Sequence, residues 1–87
     1  MTKISLEDIE IIKILAVTDT VTLFNGMNKD TRERLDSQVG MILREYYKEN
    51  TTNIKTGWTE EFERAGITED QGKSAIACAR RLGMEIS

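Results

Sequence analysis

Leu35, Val39, Ile42, Leu43 and Tyr46 recur at steps of three and four residues, the spacing that aligns side chains on one face of an α-helix. This is the clearest amphipathic segment of the chain. Asp30 and Glu33 form a cap pair ahead of it, so the spacing predicts a helix over about 30–49. An apolar stripe of that length demands a second apolar surface to cover it.

The N-terminal residues supply one. Ser5 with Asp8 reads as a capping box, and Ile4 and Ile9 are placed to form the hydrophobic staple across it. Ile9, Ile12 and Ala16, and separately Ile11 and Leu15, follow helical spacing. With Ile14 and Val17 they wrap apolar surface around more than one face. The β-branched Thr18, Thr20, Val21 and Thr22 leave a short extended stretch open as the alternative, but helix is preferred through Phe24, ended by Gly26. Two helices of about 20 residues, each roughly 30 Å long, are then expected to pair as an antiparallel hairpin. Gly40, inside the second, costs about 1 kcal/mol relative to alanine unless a close approach uses it.

Residues 50–57 carry turn formers and β-branched residues without periodicity, a connection rather than an element. The sequon Asn50-Thr51-Thr52 within it has no other sign of secretion beside it. Thr59 is placed to cap a short helix through Ala65, stopped by Gly66. Thr68 and Gln71 make a second capping box for a helix reaching Leu82, stopped by Gly83. Ala75, Ile76, Ala79 and Leu82 give that last helix a narrow apolar stripe. The expected fold is therefore all-α: one domain over residues 1–87, a small bundle of about four helices with a long N-terminal antiparallel hairpin.

Composition narrows the chemistry. The chain has no histidine, which removes the commonest general base near neutral pH, the commonest zinc ligand and every nucleophile paired with His. The lone Cys78 cannot close an internal disulfide, and between Ala77 and Ala79 it reads as a small apolar residue. Met27, Met41 and Met84 are scattered, not clustered as a soft-metal site requires. No catalytic residues, metal site or cofactor are expected. No run of eighteen apolar residues occurs, and Met1 to Lys13 lacks the features of a secretory signal, so the expected location is cytoplasmic.

Two motifs carry partial matches. Gly66 to Ser74, GITEDQGKS, is similar to a phosphate-binding loop but has one residue too many between its glycines. It also follows no strand and sets Glu69 and Asp70 where phosphates would sit. Gly72 is better read as a small residue where helices pack closely. Residues 59–82 have helix-turn-helix spacing, but the second helix opens on the same two acids, against the donors that DNA requires. A net charge of −3 offers no bulk attraction to nucleic acid. Glu60, Glu61, Glu63, Glu69 and Asp70 make residues 59–70 the most acidic stretch, read as solvated helix starts.

What remains points to association. Ile9, Ile11, Ile12, Ile14, Leu15 and Val17 fall within nine residues, more apolar surface than a bundle of this size covers alone. A homo-oligomer, or docking on a larger protein, is expected, with Ile11 and Ile14 at the interface. Tyr46 and Tyr47 cannot share one helical face, so one of them is freed toward the surface. Arg44, Tyr47 and Trp58 are residue types enriched where partners bind. Lys73, Arg80 and Arg81 are candidate anion-binding residues.

The favoured function is a non-enzymatic regulator or inhibitor acting by protein–protein association, of the kind found among small accessory proteins of phages and mobile elements. That comparison rests on size and missing chemistry. The alternatives are DNA binding through residues 59–82, and an oligomer that holds a small anionic ligand such as a nucleotide between subunits.

Overall fold

The computed structural model describes residues 4–17, 25–52, 54 and 56–86. Four helices carry the described fold, with no strand among those residues. Helix α1 spans Leu6–Val17. Helix α2 covers residues 29–52 and has three parts: α-helical Lys29–Arg34, a π-helical turn Leu35–Val39, and α-helical Gly40–Thr52. Helix α3 is Trp58–Arg64 and α4 is Glu69–Arg81. The all-α bundle expected from the sequence is the observed architecture. Asn25 and Gly26 are helical, but residues 18–24, where helix was weighed against strand, lie outside the described residues, as does the link of the expected hairpin. Helix α1 packs chiefly on α4, and touches α2 around its π-helical turn.

Local chemistry explains most boundaries. Ser5 Oγ accepts the Asp8 N–H at 3.2 Å, one half of the expected box, while the Asp8 carboxylate turns away to another partner. Helix α2 starts earlier than the Asp30 and Glu33 pair implied. Asn28 is its cap, with Oδ1 accepting the Thr31 N–H at 2.8 Å. Asn28 already sits in extended backbone and presents its amide oxygen to the third helical N–H, which leaves Asp30 inside the first turn. The Thr68 and Gln71 box forms in full, at 3.2 and 2.9 Å. Gly66 and Gly83 take left-handed φ of 79° and 93°, ending α3 and α4 where a side chain would be strained.

The core is one cluster: Ile12 and Leu15 of α1, Leu35, Val39, Leu43 and Tyr46 of α2, Phe62 of α3, Ile67 of the α3–α4 turn, Ala75 and Ala79 of α4, with Leu82 and Ile86 closing it from the tail. Tyr46 stacks on Phe62 with ring centroids 4.0 Å apart and planes 6° from parallel. Its other boundary is Gly72, where a Cβ would come within 2.7 Å of the Tyr46 ring. Burial, with Glu69 nearby, raises the Tyr46 phenol pKa and keeps it neutral. At Gly40 a Cβ would meet the Met84 methyl at 2.8 Å and the Leu35 carbonyl at 3.1 Å. The glycine in α2 is thus used for close approach, by a methionine side chain rather than another backbone.

Helix α3 has no side-chain cap of its own, since Gly57 precedes it. The buried carboxylate of Glu49 on α2 takes that role. Its Oε2 accepts the Trp58 N–H at 2.8 Å and the Thr56 hydroxyl at 2.6 Å, and Oε1 accepts the Thr59 N–H at 3.4 Å. Burial opposes the charge on Glu49, but these bonds outweigh it and hold the carboxyl below its usual range.

Two outcomes are expected. Gly72→Ala should lose about 1–2 kcal/mol in chemical denaturation, because overpacking against a ring already clamped by Phe62 outweighs the roughly 1 kcal/mol gained in helix propensity. The Glu49 contribution is complete above the ordinary carboxylate pKa and lost as pH falls through the depressed folded value. Glu49→Gln should therefore lower the melting temperature near neutrality, and its difference from the natural protein should shrink on acidification.

Candidate functional site

Helix α1 does not bury what it carries. Of the six apolar residues crowded between 9 and 17, Ile12 and Leu15 are buried and Ile9 and Ile11 half-buried. Ile14 remains 45% exposed and Val17 76%. Ile14 and Val17 are three residues apart and so share a side of the helix. Leu6, at 79% exposed, opens the same helix.

Ile11 and Ile14 form the apolar floor of a cleft of about 400 Å³ between α1 and the first turns of α2, edged by Glu7, Glu10, Asp30, Thr31 and Arg34. Arg34 joins its two walls. Its Nε donates to Oδ1 of the buried Asp8 at 2.7 Å, Nη2 donates to Ser5 Oγ at 3.2 Å, and Nη1 lies 3.2 Å from Glu7 Oε2. The guanidinium is thereby committed to groups of α1 and of Ser5 just ahead of it. Glu10 and Asp30 are exposed and have no ion-pair partner among the described residues. Lys29, beside Asp30 in sequence, is directed 4.0 Å from Glu33 instead. The cleft is apolar at its base and negative at its edge.

The remaining sequence-predicted residues lie elsewhere. Arg44, exposed on α2, reaches over Gly40 beside Met84. Tyr47 is half-buried, with the Arg80 guanidinium 4.6 Å from its ring centre. Arg80 also donates twice to the Ile86 carbonyl, at 2.9 and 3.1 Å, so Tyr47 and Arg80 come together to fasten the C-terminal tail. Arg32 helps, donating to the Leu82 carbonyl at 3.2 Å. Trp58 is buried in the core. Lys73 pairs with Glu69 at 3.0 Å, and the carboxylate raises its pKa. Arg81 is exposed near the end of α4. The acidic stretch 59–70 meets cations of its own elements: Arg64 lies 2.8 Å from Glu61 and 3.8 Å from Glu60.

Ile11 and Ile14 are the two lining residues that the sequence singles out, as interface residues; Glu7, Glu10, Asp30 and Arg34 are not among its candidates. Glu7, Glu10, Ile11 and Ile14 follow helical spacing, as do Asp30 and Arg34, so each wall was visible by itself. The facing of the two walls was not. Among the described residues no three Cys, Asp or Glu side chains gather as a metal site, and Cys78 is buried. No described helix is long and apolar enough to cross a membrane. Neither a protein-family model, nor a curated protein, nor a solved structure matches this chain.

Arg34 is the joint of the site. Arg34→Met strands the buried Asp8 carboxylate and should cost about 2–4 kcal/mol in equilibrium unfolding. Adding Asp8→Asn should recover most of that loss, as expected of a coupled pair.

Proposed function

We propose that this protein is a non-enzymatic binding module that works by protein–protein association, with Ile11, Ile14 and Val17 of α1 as its contact face. As a regulator or inhibitor it needs no chemistry of its own, only to occupy surface that a partner otherwise uses. One observation carries the proposal: large apolar side chains stay exposed on a helix whose other faces are already packed. Burying such a side chain fully contributes roughly 1.5–3 kcal/mol, and association with another protein obtains it. The paired or buried state of Arg80, Lys73 and Trp58 supports placing the contact on α1. The two exposed acids that open α4 argue against a nucleic-acid role for that helix.

Native mass spectrometry of the protein purified from cells that naturally contain it tests the proposal. A complex of fixed stoichiometry is expected, with a foreign protein or between copies of the chain. It should be lost in Ile14→Asp and in Val17→Asp, each retaining the helical circular dichroism of the parent. A complex that survives both substitutions overturns the assignment of this face.

A further inference from the structure

Resting on that protein-binding reading, we infer that the cleft between α1 and α2 receives a basic, amphipathic helical segment of another protein and not a second copy of this chain. The cleft has two chemical parts, and each constrains the occupant. Its floor, Ile11 and Ile14, takes apolar side chains. Its edge carries Glu7, Glu10 and Asp30, with Asp8 buried behind them, against the single guanidinium of Arg34. Arg34 is held by Asp8, Glu7 and Ser5 and cannot turn to answer an incoming acid without breaking those contacts. The nearby lysines do not offset the edge either. Lys29 lies by Glu33, and Lys13 extends to Gly66 on the α3–α4 turn. An occupant that meets this edge well brings lysine or arginine beside its apolar stripe.

The same charges disfavour self-association through the cleft. In a two-fold pair the same patch meets itself, which brings two copies of the acidic set Glu7, Glu10 and Asp30 into one interface while both Arg34 side chains are already engaged. The shape selects a helix. The walls are two helices, and the space between two helices is filled by the ridges of a third. Strand addition has nothing to build on, since the described residues include no sheet edge. Helix α1, at 12 residues, is about 18 Å long, which matches a partner segment of three to four turns.

The test uses the full chain labelled with ¹⁵N and two fluorescent helical peptides of about 14 residues. Both carry leucines at helical spacing, one flanked by lysines and the other by glutamates. The lysine peptide is expected to shift the amide signals of Ile11, Ile14 and Thr31 and to bind at least about tenfold more tightly than the glutamate peptide, with affinity falling as salt is added. The double variant Glu10→Lys/Asp30→Lys should weaken it about fivefold to tenfold without loss of fold. Equal binding of the two peptides overturns the basic occupant while leaving α1 as a contact face. The inference also fails if neither peptide shifts the cleft signals, or if native mass spectrometry finds a dimer of the chain that Ile14→Asp dissolves. Failure of the underlying reading shows separately, as a natural complex indifferent to Ile14→Asp.

Discussion

Tyr46 and Glu49 stand one turn apart on α2, and between them they hold the short helix α3 in place. The ring stacks on Phe62 while the carboxylate receives the first amides of the helix. A helix of seven residues is far below the length at which it persists alone, so α3 exists because α2 supplies both its apolar contact and its cap. Gly72 extends the same junction to α4, since the stacked ring lies where a side chain on α4 would otherwise be. Three of the four helices thus meet at one aromatic pair.

Helix α1 stands outside that junction and is attached differently. Ile12 and Leu15 enter the core against α4, and Arg34 bonds Asp8 across to α2. Once those contacts are made, Ile14 and Val17 stay exposed among the described residues. In a chain of 87 residues the ratio of surface to volume leaves little apolar area that neighbours can reach, and α1 carries more than that share. The exposed face follows from the fold's size as much as from its sequence. A function that consists of being covered by another protein uses this surplus directly, and the carboxylates edging the cleft would set which surfaces are welcome there.

The C-terminal tail shows how residue types that favour interfaces also serve the interior. Arg80 lies over Tyr47 and binds the Ile86 carbonyl, while Met84 rests against Gly40. An arginine on an aromatic face is suited to binding a partner or to fastening a chain end, because both exploit the same weakly hydrated, planar cation. Sequence composition cannot separate these uses, and here the cation holds the tail.

Much of the fold was legible from residue order alone. Helical spacing, the Thr68–Gln71 box and the glycine stops at Gly66 and Gly83 are encoded within a turn or two of each residue, so local physics suffices to read them, whereas at Gly72 the sequence offered only a small residue and the fold supplied Tyr46 as its neighbour. The Asn28 cap was readable by the same rules but was masked by the competing acids at Asp30 and Glu33. Glu49 also left a trace, three residues beyond Tyr46 on the core face of its helix. Its partner, the start of α3, lies across a connection whose path spacing does not specify. By itself the sequence determined an all-α chain without histidine, with a first helix that is apolar on more than one face. Only the tertiary structure decided which faces remained open, and that acids from α1 and α2 would edge one cleft. Helical periodicity orders side chains around a single axis, whereas a site between two helices depends on how those axes are placed.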